Sequence, residues 1–260
     1  MIIIGEKINI RSTAIGKAMQ DRDPKPIQDM AKAQVAGGAD YLDVNVGPAT
    51  KGGPELMEWL VKTIQEVVDT PLSLDTGNAD AIEAGLKVHK GRALVNSISG
   101  EQGRLEKMLP LLKKYDAYVI GLALTDDGIP RDANERVAAA VEVITALTME
   151  DISLDRLFLD PIVTPICFSQ QDAMEIVEAI KMFKQLNDPP IKTVVGLSNV
   201  YNGCPEEVKG LIGRTFFALL AAVGLDAAIA DPMEKEFMDV VKTMKVFNNE
   251  ILYCHSYLEQ

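Results

Sequence analysis

Cysteine and histidine are scarce in this chain. Cys167, Cys204 and Cys254 form no Cys-x-x-Cys pair, and only His89 and His255 add to the stock of soft metal ligands. That excludes a disulfide framework and a structural zinc site, so reduced thiols and no bound metal are expected. Long apolar runs are missing as well. The longest, Phe216 to Leu225, falls well short of the ~18 residues needed to cross a bilayer. Met1 to Ile4 meets Gly5, Glu6 and Lys7 at once, too soon for the apolar region of a secretion signal. A cytoplasmic protein without membrane contact is the expectation. Basic charge is in deficit: 26 Lys plus Arg stand against 38 Asp plus Glu, for a formal charge of −12. Polyphosphates and anionic membrane surfaces require a clustered basic face, so nucleic acid is not an expected partner. Neither a Gly-x-Gly-x-x-Gly after the first apolar run nor a Gly-Lys-Ser/Thr phosphate loop occurs.

What is present is an ordinary globular balance, 47% hydrophobic and 25% charged over 260 residues. That length suits a single α/β barrel, a fold that commonly needs about 250 residues. Short β-rich apolar runs alternate with segments of helical periodicity. The expected strands are Ile2 to Ile4, Tyr41 to Val46, Leu72 to Asp75, Ala93 to Ser97, Tyr118 to Leu124, Leu157 to Asp160, Thr193 to Leu197 and Ala227 to Ala230. Between them Ile27 to Val35, Glu55 to Val68, Ala79 to Val88, Leu105 to Lys114, Asn134 to Leu147, Asp172 to Leu186 and Val208 to Val223 read as helices, and Glu234 to Val246 follows. Alternation of this kind implies parallel strands joined by crossovers. The expected fold is α/β, a single (β/α)8 TIM barrel occupying residues 1–260 as one domain, with no linker or composition break.

Polar residues punctuate the strand ends: Asp43-Val44-Asn45, Asp75, Asn96-Ser97, Asp160 and Ser198-Asn199. In a barrel these positions converge on the carboxyl-terminal mouth, where such enzymes build their sites. Each alone also fits a helix cap, but caps commonly come later, at positions such as Asn78 and Asp132, which are the expected caps. A ring of carboxylates and carboxamides without a strand-end Lys, Arg or His suits a ligand rich in N–H donors, and the amidine-like edge of a pterin is one. A sugar phosphate would require glycine-rich backbone and cations, and a Schiff-base aldolase a strand-end Lys.

Leu74-Asp75, Val95-Asn96-Ser97, Asp160-Pro161, Gly196-Leu197-Ser198-Asn199-Val200 and Gly224 to Asp231, in that order and spacing, resemble the methyltetrahydrofolate:corrinoid protein methyltransferases. Ile4 to Asn9 and Leu42 to Pro48 extend the resemblance over essentially the whole chain. That family shares a pterin-binding barrel with dihydropteroate synthase and with the folate module of cobalamin-dependent methionine synthase. The synthases carry Ser-Arg-Lys and Arg-x-His where this chain has Asn199-Val200 and Ala230-Asp231, which speaks against synthase activity.

The resemblance implies methyl transfer between N5 of tetrahydrofolate or 5-methyltetrahydrofolate and the cobalt of a corrinoid (cobalamin) supplied by a partner corrinoid protein, without a metal of the chain's own. Asp160 would hold the 2-amino and ring N–H edge of the pterin, and Asp75 and Asn96 its other polar atoms. Asn199 would be catalytic, bonding N5 as charge develops there. Glu6, Asn9, Asp43 and Ser198 are further pocket candidates. A homodimer is implied too, with the apolar α-helical residues Phe216, Phe217 and Leu220 as the expected face. Thr76-Gly77, Ile98-Ser99-Gly100 and Ile162 to Phe168 depart from the family pattern, which points to a corrinoid partner other than that of acetogenic carbon fixation, for instance in a demethylation pathway running toward tetrahydrofolate. The alternatives are a non-catalytic folate-binding barrel and, less consistent with the motifs, a dihydropteroate synthase-like enzyme. Of the remaining residues, His89 reads as a helix-end cation, Cys167 and Cys204 as loop residues near the mouth, His255 as part of the tail, and Met174, Met182 and Met238 as core filler.

Overall fold

A computed structural model describes residues 1–259. The chain alternates β1 (Ile2–Asn9), α1 (Thr13–Asp21), α2 (Pro24–Ala36), β2 (Tyr41–Asn45), α3 (Gly53–Gln65), β3 (Leu72–Asp75), α4 (Ala79–Val88), β4 (Leu94–Ser99), α5 (Gln102–Lys114) and β5 (Tyr118–Leu122). It continues with α6 (Ala133–Met149), β6 (Leu157–Asp160), α7 (Asp172–Phe183), β7 (Lys192–Gly196), α8 (Glu206–Ala222), β8 (Ala227–Ala230) and α9 (Lys235–Phe247). The strands run parallel in sequence order and close between β8 and β1, so the expected (β/α)8 barrel is the fold.

Period-2 alternation sorts each strand's side chains into two layers. Ile4, Leu94, Ile120, Phe158, Val194 and Ala227 point inward and fill the barrel's interior. Their neighbours Leu42, Val44, Leu74, Val95, Leu159 and Val195 point outward and are buried under the helices. Stabilisation of roughly 1.5–3 kcal/mol per fully buried aliphatic side chain makes that register hard to slip, because a one-residue shift would exchange the layers.

The caps follow local chemistry. Asn78 accepts from the N–H groups of Asp80 and Ala81 at the start of α4, and Asp132 accepts from Glu135 at the start of α6. An additional helix, α1, stands where none was expected. It is a nine-residue element whose Ser12 cap makes no side-chain bond, and Gly16 interrupts its apolar pattern. That glycine is required, because a Cβ there would lie 2.1 Å from the Ile10 carbonyl oxygen.

Several residues lie elsewhere than expected. Phe216, Phe217 and Leu220 are buried in the chain's own core, with Phe217 edge-on to Phe237, so they cannot form a dimer face. The exposed apolar residues of α8 are instead Leu211 and Leu219. Met174 is 60% exposed and fills no core, whereas Met182 and Met238 pack against it. His89 caps the end of α4 at the foot of the barrel, away from the mouth, and its Nε2 accepts the Leu72 N–H at 3.0 Å. Burial lowers its pKa and keeps it a neutral acceptor. Asp226, from the terminal motif, is also at the foot, where it accepts from the N–H and hydroxyl of Thr193 at 2.6 and 3.1 Å. Among the described residues no helix is long and apolar enough to cross a membrane.

Candidate active site at the barrel mouth

The inward parity that places Leu94 and Phe158 in the interior puts Asn96 and Asp160 two residues further along, above that apolar floor. By the same rule Asp43 follows Tyr41, Asp75 follows Ser73 and Gly196 follows Val194. Glu6 continues the parity of Ile2 and Ile4 before the ladder shifts register between Gly5 and Ile8. Each polar group is thus delivered inward by a strand whose alternate residues are anchored in the core.

Asp43 is the hub of one side. Its Oδ1 accepts from the Ser73 hydroxyl at 2.6 Å and from the Asn96 carboxamide at 3.1 Å. Its carboxyl also hydrogen-bonds that of Asp75, which accepts in turn from the Asn45 carboxamide. Burial and the negative charge of Asp75 push Asp43 far above the ordinary carboxylate range. Asp75 is raised as well, chiefly by burial, but Asn45, Arg11, Arg104 and the bond from Asp43 oppose the rise. Two carboxyls so close share one proton at neutral pH, held by the pair.

Asp160 stands alone on the opposite side. It is 7% exposed, burial pushes its pKa to about 7, and among the described residues its carboxyl accepts one bond, from the Ile162 N–H at 2.7 Å. The loop beyond is rigidly held. Ile162 has φ 65, a left-handed conformation that costs a β-branched residue roughly 1–2 kcal/mol. Arg136, fully buried on α6, donates from Nε to the Pro161 carbonyl at 3.0 Å and lies 3.9 Å from Asp172, which accepts the Thr164 hydroxyl. A carboxylate with its second oxygen free, fixed over an apolar floor, is suited to a ligand edge bearing two N–H donors.

Asn199 sits in a 3₁₀ turn, Leu197–Tyr201, immediately after β7. Its side chain folds back over the strand end: Nδ2 lies 2.9 Å from where a Gly196 Cβ would stand, on the inward side of β7. Asn202 donates to its Oδ1 at 3.3 Å, and α8 begins beyond Pro205 without using it as a cap. Beside it, the Ser198 hydroxyl donates to Glu6 at 2.8 Å and ties β7 to β1. Burial raises the Glu6 pKa.

A family model described as pterin binding enzyme matches residues 5–229. The chain belongs to the pterin-binding enzyme family. Methylcorrinoid:tetrahydrofolate methyltransferase from Eubacterium limosum is 31% identical over 260 residues, covering 99% of this chain and 94% of that protein. Methionine synthase from Mycobacterium leprae (strain TN) is 28% identical over 240 residues, covering 88% of this chain but 20% of that longer protein. Among solved structures, 7,8-dihydropteroate synthase from Vibrio fischeri ES114 superposes with a TM-score of 0.73 at 17% identity, over 97% of this chain and 94% of that one, a likeness of fold.

In this pterin-binding enzyme the mouth gathers Asp43, Asp75, Asn96, Asp160, Ser198, Asn199 and Glu6. Asn9 is the exception, because its Oδ1 accepts from Arg11 N at 2.9 Å and serves the β1–α1 turn. Cys167 and Cys204 lie on the rim loops, with the Cys167 thiol donating to the Asn202 carbonyl at 3.1 Å. Asn45 stands among the strand-end residues of the sequence without a role of its own, and Ser73 and Arg104 were not among the sequence candidates. Asn45 shares the parity of Asp43 and was legible on that ground. Arg104 was not, because its partners are main-chain carbonyls of distant loops.

Proposed function

We propose that the chain transfers a methyl group between N5 of (methyl)tetrahydrofolate and the cobalt of a corrinoid carried by a separate protein. The observation that carries this reading is the ring of Asp75, Asn96, Asp160 and Asn199 at the mouth above an apolar floor, with Asp43 and Asp75 forming a pair that shares a proton. Asp160 pairs with the 2-amino and ring N–H edge of the pterin, which thereby selects the ionised carboxyl. Asp75 and Asn96 hold other polar atoms of the bicycle.

A tertiary amine leaves poorly until N5 gains a proton or an equivalent hydrogen bond. Asn199 supplies that bond at the open side of the mouth. The Asp43–Asp75 pair is the store from which a proton reaches the ring. One site stabilises one transition state, so it serves methyl transfer in either direction, including demethylation toward tetrahydrofolate.

A pyrophosphate-releasing synthase reaction is disfavoured by the charge at the mouth. Asp231, the residue after β8, pairs with Lys7 at 2.8 Å and offsets its charge. The test is calorimetric titration. 5-Methyltetrahydrofolate is expected to bind once per chain, and a dihydropterin pyrophosphate with 4-aminobenzoate is expected to give no dihydropteroate. Absence of folate binding would contradict the reading.

A cytoplasmic homodimer completes the proposal. Leu211 and Leu219 lie on one face of α8, two turns apart and exposed, and are suited to a self-complementary contact. Light scattering at micromolar concentration is expected to give a dimer mass, and Leu211→Glu with Leu219→Glu a monomer. A monomeric wild type would remove the dimer.

A further inference from the structure

Arg104, in the first turn of α5, turns its guanidinium to main-chain carbonyls. Nε donates to Ser97 O at 2.8 Å, Nη1 to Gly77 O at 2.7 Å, and Nη2 to both Thr76 O at 3.1 Å and Ser97 O at 2.5 Å. These carbonyls immediately follow Asp75 and Asn96, whose strands pair at that residue. The ladder itself is weak there, with Thr76 N reaching Asn96 O at 3.3 Å. Thr76 extends the arrangement to β2, because its hydroxyl donates to Gly47 O at 2.7 Å. A single planar fork therefore ties the exit of β3 to β4 at the residue after Asn96, beside the two side chains that face the mouth.

We propose that Arg104 is a positioning residue for the pterin, setting the spacing of the Asp75 carboxyl and the Asn96 carboxamide by clamping their strands together just beyond these two residues. The assignment rests on the folate reading of the mouth. A guanidinium is fitted to the task because it offers five N–H donors in a fixed plane, whereas an ammonium is a point charge on a flexible stem.

Arg104 also acts through its charge. Asp75 faces Asp43 and Asn45 from β2, Arg11 from the β1–α1 turn and Arg104 from α5, while Glu101 faces Arg104. The two arginines favour the ionised Asp75 against its burial. Geometry and charge are separable, since Arg104→Lys keeps the cation and loses the fork, and Arg104→Met loses both.

The experiment is calorimetric titration of wild type, Arg104→Lys and Arg104→Met with 5-methyltetrahydrofolate between pH 5 and 8, with thermal unfolding recorded for each. Arg104→Lys is expected to weaken binding by about tenfold at pH 8, the lower end for losing hydrogen bonds to a charged group, with the pH midpoint of the affinity loss unmoved. Arg104→Met is expected to weaken it at least as much and, compared in an Asp160→Asn background that removes the other carboxyl titrating in this range, to raise that midpoint by about one unit, because Asp75 without the cation takes up its proton at higher pH. At saturating folate Arg104→Lys is expected to transfer methyl within about threefold of wild type, since Asn199 and the cation beside Asp75 are both kept, a split that general damage would not give.

Wild-type binding with unchanged affinity in Arg104→Lys and Arg104→Met overturns the assignment alone. Equal losses with no midpoint shift in Arg104→Met overturn it too, as the mark of a merely structural role. If Arg104→Met fails to fold, Arg104→Lys decides by affinity. A wild type that binds no folate overturns the functional reading and the assignment with it.

Discussion

Asn199→Ala slows methyl transfer by about 100-fold or more at saturating folate while changing folate affinity far less, the usual consequence of losing one preorganised polar partner of a developing charge. The expectation follows from where the carboxamide sits. The turn Leu197–Tyr201 carries it back over the inward side of Gly196, and Asn202 holds its oxygen. Nδ2 is thus left on the inward side of β7, at the mouth, where the proposed reading places N5. On the proposed reading ground-state binding rests on Asp160, Asp75 and Asn96, so removing Asn199 is expected to leave it largely intact. Single-turnover transfer, in whichever direction the corrinoid partner supports, is the measurement. A mutant as fast as wild type would place Asn199 outside the mechanism.

Asp160→Asn is expected to weaken folate binding by about 1.5–3 kcal/mol, the range for a hydrogen bond to a charged group, and to stabilise the free protein. The second effect follows from linkage. Burial raises the Asp160 carboxyl from 3.8 to about 7 in the folded chain, so folding is opposed once the unfolded chain has released that proton. This carboxyl's contribution to stability is fully present below its unfolded value and is lost as pH rises through its folded value. Asn carries no such proton and still accepts from the Ile162 N–H through its oxygen. The variant's advantage in Tm therefore grows from about pH 4 to about pH 7 and levels off above. Calorimetric unfolding and folate titration over the same pH range check both halves. An unchanged affinity would remove Asp160 from the pterin edge, and a variant less stable than wild type at pH 8 would contradict the linkage argument. A site that weakens its own fold in the free state is a common cost of binding function.

Strand periodicity made most of this architecture legible. β3, β6, β8 and α4 run between the residues expected of them, because each is bounded by turn chemistry within a few positions. Asn78 and Asp132 were legible as caps for the same local reason, since their partners lie two and three residues away. The ring of Asp75, Asn96 and Asp160 followed from placing strand ends at one mouth. Features set by distant partners did not follow. Ser73 meets Asp43 across 30 residues, Asn96 meets Asp43 across 53, and Arg104 reaches Gly77 across 27. Phe216, Phe217 and Leu220 could not be assigned by pattern, because α8 carries apolar residues on its outer face as well as its inner one, and only packing against Phe237 marks which are core. α1 escaped because a short helix with Gly16 and a weak cap leaves little periodic signal.

Methyl transfer to free cob(I)alamin tests the central claim most directly. 5-Methyltetrahydrofolate, the protein and cob(I)alamin are mixed without oxygen and the cobalt spectrum is followed, with methylcobalamin and tetrahydrofolate as the reverse arm. The account predicts that catalytic amounts of wild type convert cob(I)alamin to methylcobalamin, at a rate reduced about 100-fold in Asn199→Ala. Saturable folate binding with no transfer in either direction would contradict it and leave a folate-binding barrel without catalysis.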